Sequence, residues 1–154
     1  SSAPVEGMGI RRVLIRVGVV LSASGGALPQ LLAPLKFGLG APLGTGKQWM
    51  SWIHIDDLCR LFLEAIGNTA YTGVYNGVSP SPVTNKEITK EAAKVLNKPL
   101  WLPPVPGFVL KVALGEMAQI VLGGSKISSE KVNEMGFKFD YTHLNSALKN
   151  ILLK

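Results

Sequence analysis

The chain has 154 residues, of which 47% are hydrophobic and only 17% charged, with a formal net charge of +6. That length bounds it to one domain, or a domain with a small appendage, and the apolar content excludes bulk disorder. The single cysteine, Cys59, excludes an internal disulfide framework and any multi-cysteine zinc site, and favours a reducing, cytoplasmic location.

Arg12 to Leu21 is nearly continuous in β-branched and apolar residues. It predicts a strand buried on both faces, as in a parallel sheet. Ser22 to Gly26 reads as a loop, and Ala27 to Phe37 as a short helix limited by Pro34. Gly38 to Lys47 is a glycine-rich loop, with room for a short strand at Ala41 to Leu43, and Gln48 to Ile55 reads as extended. Asp56 is the expected N-cap of a helix carrying Leu58, Leu61, Phe62, Ala65 and Ile66, with Gly67 at its end. Val74 to Val78 predicts a further strand. Thr84 and Glu87 form a capping box for a helix to about Leu96, with Asn97 as its left-handed cap.

Beyond that helix, Leu100 to Leu102 reads as a short strand and Pro103 to Pro106 as a stiff connector. Phe108 to Leu122 reads as one or two apolar helices. Ser128 or Ser129 opens a short helix ending near Gly136, Phe137 to Tyr141 is extended, and Thr142 caps a final helix. The stretch Leu100 to Gly124 is broken by three prolines, Lys111 and Glu116, so no membrane span is expected there. The N-terminal residues show no signal-peptide pattern. The order is α/β followed by a small α-rich lobe, divided at residues 1–98 and 99–154. Neither G-x-G-x-x-G nor a P-loop pattern is present, and the strands are too few for a complete nucleotide-binding sheet. The chain reads as the C-terminal half of something larger, with Arg12 to Leu21 an interior strand lacking neighbours.

Gly44 to Leu58 is the richest segment chemically. Gly44, Gly46 and Lys47 can cradle a phosphate, or form a turn under aromatic packing. Ser51, His54 and Asp57 have the types of a nucleophile triad, but a triad is defined in space, and His54 beside a helix start reads better as a structural histidine. A metal set from His54, Asp56 and His143 lacks ligand spacing. Arg16 inside an apolar strand needs a partner, either a ligand phosphate or Glu64. Cys59 is expected to pack inward. Lys86, Lys90, Lys94 and Lys98 share a helix face that reads as solvated, with Glu87 and Glu91 available for pairing, rather than as a nucleic-acid patch.

The residues Arg16-Val17-Gly18-Val19, Gly25-Gly26-Ala27-Leu28 and Ser51-Trp52-Ile53-His54-Ile55-Asp56-Asp57 resemble those of extended short-chain dehydrogenases. Together with Tyr75-Asn76-Gly77-Val78 and the tail from Pro103 to Phe139, they are similar to the atypical NAD(P)-dependent epimerase/dehydratase-like branch, including its C-terminal domain of unknown function. The resemblance implies the C-terminal strands of a Rossmann-type sheet plus a small α-rich substrate-binding lobe. The cofactor loop and the Tyr-x-x-x-Lys pair would lie in a segment preceding Ser1.

It further implies NAD(P) in the full-length protein, with none bound to this portion alone. Arg16, Gly18 and Val19 would face the cofactor. Gly25, Gly26, Leu28, Gln48, Trp49, Met50 and Trp52 would line the substrate pocket, with Ala41 to Leu43 beside them. Met50 stands where nucleotide-sugar enzymes carry a diphosphate-clamping arginine, and Val19 where an asparagine is usual, which implies a less charged substrate. The rival readings are a non-catalytic NADPH-sensing protein of the same fold and a basic nucleic-acid-binding domain. The expected partners are a small-molecule substrate and further copies of the chain joined at an open strand edge, with no nucleic acid and no membrane.

Overall fold

The computed structural model describes residues 9–36, 38, 40–108 and 123–153. The apolar run after Arg12 enters a strand, β1 (Val13–Val17), which pairs in parallel with β5 (Gly73–Gly77), Val13 opposite Gly73 and Val17 opposite Gly77. At Gly18 the chain changes partner. The Gly18 N–H donates to the Gly77 carbonyl at 3.2 Å, and the next N–H, of Val19, donates to Ser51 O at 2.8 Å. The run then continues as β2 (Val19–Leu21), parallel to β4 (Trp52–His54). A Cβ on residue 18 would overlap the Ser51 carbonyl oxygen and stand 2.6 Å from Val78 Cγ1, so only glycine allows this crossing. A third ladder is antiparallel, β3 (Trp49–Met50) against β6 (Val83–Thr84).

These pairings correct the expected single strand over Arg12 to Leu21. It is two strands, and both have neighbours within the chain. Nor is β1 buried on both faces. Val13 and Ile15 pack inward, while Leu14 and Val17 are exposed and no strand pairs with the other edge of β1 among the described residues. Alternation governs β1 from Val13 to Arg16, as in a sheet covered on one side, and Val17, on the same face as Val13 and Ile15, is exposed at its end.

Helix α2 (Ile55–Gly67) connects β4 to β5 and buries Leu58, Leu61 and Ala65. Leu61 and Ala65 meet Tyr71, Tyr75, Val132 and Phe137 in one core cluster. The N-cap is His54 rather than Asp56: its Nδ1 accepts the Asp56 N–H at 3.1 Å. Cys59 lies on the exposed side of α2, against expectation, because the inner face is taken by residues 58, 61 and 65. At the other end of α2, the Arg11 guanidinium donates to the Ala65 and Ile66 carbonyls at 2.7 and 2.9 Å, carbonyls that the helix end leaves unpaired, and to the Tyr71 carbonyl beyond the helix at 3.0 Å.

The second core cluster joins α1 (Ala27–Lys36), α3 (Asn85–Val95) and α5 (Leu144–Leu152) around Leu21, Met50 and Trp52. The Thr84–Glu87 capping box is present in full, Asn97 takes φ 51°, and Glu91 pairs with Lys94 at 2.6 Å, so α3 matches its sequence pattern. No strand forms at Leu100 to Leu102; an isolated bridge joins Leu43 to Val105 instead. The short helix α4 (Glu130–Glu134) starts after Ser129, and α5 starts after His143 rather than Thr142. Apart from Phe108, the expected apolar helices over 108–122 lie outside the described residues. No helix among the described residues is long and apolar enough to cross a membrane.

Candidate functional site

Ligands of open parallel sheets sit beyond the carboxyl ends of the strands, where neighbouring connections diverge. Here that place is the end of β1 and β5, at the Gly18 crossing. Arg16 reaches it exposed rather than buried, and Val19 is half-buried. The expected Arg16–Glu64 pair is not made. Glu64 instead accepts the Tyr71 hydroxyl at 3.1 Å, and burial together with that carboxylate pushes the Tyr71 phenol up to about 12.

The segment from Gly44 to Lys47 is a strapped turn, not a phosphate cradle. The Gly44 N–H donates to Val105 O and the Gly46 N–H to Leu43 O, while the Lys47 N–H faces the Thr45 hydroxyl. Buried Asn85 holds the turn to the start of α3 by accepting the Leu43 N–H at 2.8 Å and donating to Gln48 O through its own N–H. These N–H groups are committed within the protein, which leaves none of the three for an anion.

The proposed pocket residues fall into two groups. Met50 (5% exposed), Trp52 and Leu28 are in the core, where the Trp52 indole N–H donates to Ser81 O at 2.8 Å. The Gln48 side chain bonds Leu43 O at 2.7 Å, and Gly25 and Gly26 form an exposed bend. Trp49, one residue from Met50 and therefore on the opposite face of β3, is 38% exposed with the Lys126 ammonium 5.0 Å from its ring centroid. Of the aromatic and sulfur-bearing residues assigned to the wall, Trp49 presents open surface.

Ser51, His54 and Asp57 are each engaged elsewhere and form no triad. The buried Ser51 hydroxyl donates to Ser125 O at 2.8 Å and accepts the Ile127 N–H at 2.9 Å. His54 stacks on Tyr141 with centroids 3.8 Å apart. Asp57, fully buried, accepts the Asp140 and Tyr141 N–H groups at 2.9 and 3.0 Å. Arg60 bonds Asp140 and the Lys138 carbonyl, and the Asp140 hydrogen bond holds its guanidinium above the ordinary range. Asp57 is thus the anchor of the C-terminal tail. No group of three or more potential metal ligands is found among the described residues.

Sequence reasoning missed Ser51 as the tether of residues 125–127, Asn85 as the loop strap, and Lys126 at the site. The tail also closes the sheet: the Asn76 amide donates to Ser128 O at 3.0 Å and the Lys131 ammonium to Val74 O at 3.0 Å, covering the far edge of β5. Between this tail and the loop at Pro80 and Pro82 lies an open groove of about 500 Å³, lined also by Lys126, Ser128, Glu130 and Asn133.

Residues 105–151 match the family described as Domain of unknown function (DUF1731). The chain is 46% identical to the Arabidopsis thaliana "Epimerase family protein SDR39U1 homolog, chloroplastic", covering 93% of this chain and 41% of that protein. It is 41% identical to the Bacillus subtilis "Epimerase family protein YfhF", covering 96% and 48%. The chain spans about half the length of the curated relatives it matches. Among solved structures, the human epimerase family protein SDR39U1 with NADPH superposes with a TM-score of 0.87 at 35% identity, over 94% of this chain and 49% of that one. A nucleoside-diphosphate sugar epimerase from Corynebacterium glutamicum superposes with a TM-score of 0.75 at 30% identity, over 98% and 28%. The UDP-glucose 4-epimerase of Thermus thermophilus, in complex with NAD, shares the fold at 17% identity and a TM-score of 0.71.

Proposed function

We propose that this chain, which is similar to epimerase family proteins, is the C-terminal, substrate-binding portion of an NAD(P)-dependent oxidoreductase and does not catalyse alone. The observation that carries this reading is the parallel β1/β5 sheet, flanked by the tail along β5 and, among the described residues, open along β1, in a chain about half as long as its relatives. The remaining strands of a Rossmann sheet would add to β1. NAD(P) would then supply hydride chemistry at the carboxyl end of β1, beside Arg16, Gly18 and Val19. The described residues fit only that contact. No glycine-rich phosphate turn follows β1, and the N–H groups of Gly44, Gly46 and Lys47 are already taken.

Substrate would meet the exposed face of Trp49, with Gln48 and the Gly25–Gly26 bend at its margin. Met50, Leu28 and Trp52 would support that wall from the core side. The small-molecule partner and the cytoplasmic setting of the whole protein belong to this proposal.

An NADPH titration followed by tryptophan fluorescence tests it. The chain alone is expected to show no saturable quenching. The chain mixed with the amino-terminal half of the Bacillus subtilis relative is expected to bind NADPH and form a stoichiometric complex. Saturable NADPH binding by this chain alone, or no complex with the complementary half, overturns the reading.

A further inference from the structure

The groove beside the tail is built around a positioned cation. Ser51, buried under β3, holds Ser125 and Ile127 by two hydrogen bonds, so the residue between them is fixed in register. Gly124 lies so close to Trp49 that a Cβ there would overlap the Trp49 carbonyl oxygen. Asn76 then fixes Ser128 to the end of β5. Three anchors thus bracket Lys126, and its ammonium rests over the Trp49 ring. Lys126 makes no ion pair among the described residues. A cation held in place loses little freedom when an anion arrives.

The rest of the groove is different in kind. The rings of Pro80 and Pro82 give it apolar surface, and Ser128, Asn133 and Glu130 give it hydrogen-bonding groups. Two carboxylates, Glu130 and Glu134, disfavour a second negative charge on a ligand. A lysine is a point charge, without the fork that grips a diphosphate in two places. The lining therefore suits one anionic end and a hydroxyl-rich body with apolar C–H faces.

We propose that this groove binds a singly anionic polyol, a sugar acid, with Lys126 as the cation that selects it. Calling that ligand the substrate rests on the reading above; its binding to the groove does not.

Calorimetric titration of the chain with glucose 6-phosphate, glucuronate, glucose and inorganic phosphate tests the proposal without NAD(P). Glucuronate is expected to saturate, and glucose 6-phosphate, which carries close to two negative charges at neutral pH, to bind more weakly. Glucose is expected to bind at least about tenfold more weakly, the worth of one charged hydrogen bond. Lys126→Gln is expected to erase that difference and Lys126→Arg to retain it, each with an unchanged melting temperature because the side chain is exposed. The proposal is overturned if glucuronate does not bind, if glucose, glucose 6-phosphate or inorganic phosphate binds as tightly as glucuronate, or if Lys126→Gln binds glucuronate normally. An NADPH-binding failure in the complementation experiment leaves these outcomes unaffected, so the two readings fail separately.

Discussion

Arg11 closes the carboxyl end of α2 with hydrogen bonds to the Ala65 and Ile66 carbonyls and a third to Tyr71 O beyond it, a favourable place for a cation against the helix dipole. Arg11→Ala is expected to cost about 1 kcal/mol and to lower the melting temperature by ~3 °C, read in a thermal melt. Gly18 is the stricter position. Gly18→Ala places a methyl group against the Ser51 carbonyl and Val78, and is expected to cost about 3 kcal/mol or leave the chain unfolded in a urea titration. Tyr71 gives a pH dependence. Its phenol ionises at about 12 in the folded chain and near 10 when unfolded, so the neutral form favours folding. That contribution is complete below pH 10 and is lost as pH rises from 10 to about 12. Denaturant midpoints at pH 9 and pH 11.5 are expected to show the loss, and Tyr71→Phe to reduce it.

At the scale of elements, what could be read from the sequence was local. The Thr84–Glu87 box is a contact over three residues, and the Asn97 cap sits one turn from the helix it ends, so both are visible as short patterns. The partners of Ser51 lie 74 and 76 residues away, and those of Asp57 lie 83 and 84 away. No spacing rule reaches that far, and so the two residues looked like parts of a triad or a helix cap. The β1–β2 run misled for a related reason. Continuous apolar residues suit burial on both faces, but here they serve two ladders in succession, with β1 covered on one side only. The loop from Gly44 to Gln48 had the composition of an anion cradle, and one buried side chain decides otherwise. Asn85→Ala removes the acceptor of the Leu43 N–H and is expected to cost about 2 kcal/mol, with amide exchange at Gly44 and Gly46 accelerated.

For the molecule as a whole, one side of the sheet remains available among the described residues. The free edge of β1 runs beside exposed Leu14 and Val17, and α2 carries Phe62, Leu63 and Ile66 outward. Such an edge pairs with whatever strand reaches it. Without a complementary half, the chain is expected to self-associate, and sedimentation should show Leu14→Lys shifted toward the monomer. A sedimenting monomer for the unmodified chain counts against association through β1. The core side sets an opposite limit. Met50 lies 5% exposed among α1, α3 and Trp52, so Met50→Arg buries a guanidinium and is expected to destabilise the fold before it can grip a diphosphate. A purified Met50→Arg chain melting at the parental temperature would disprove that.

The pairing of β1 with β5 also has a consequence for biosynthesis. Val13 leaves the ribosome long before Gly73, and the parallel ladder cannot start until α1, α2 and the three intervening strands have emerged. Through that interval the edge of β1 that β5 will occupy stays unpaired. It is a natural handhold for a chaperone, and its release is timed by the translation of β5.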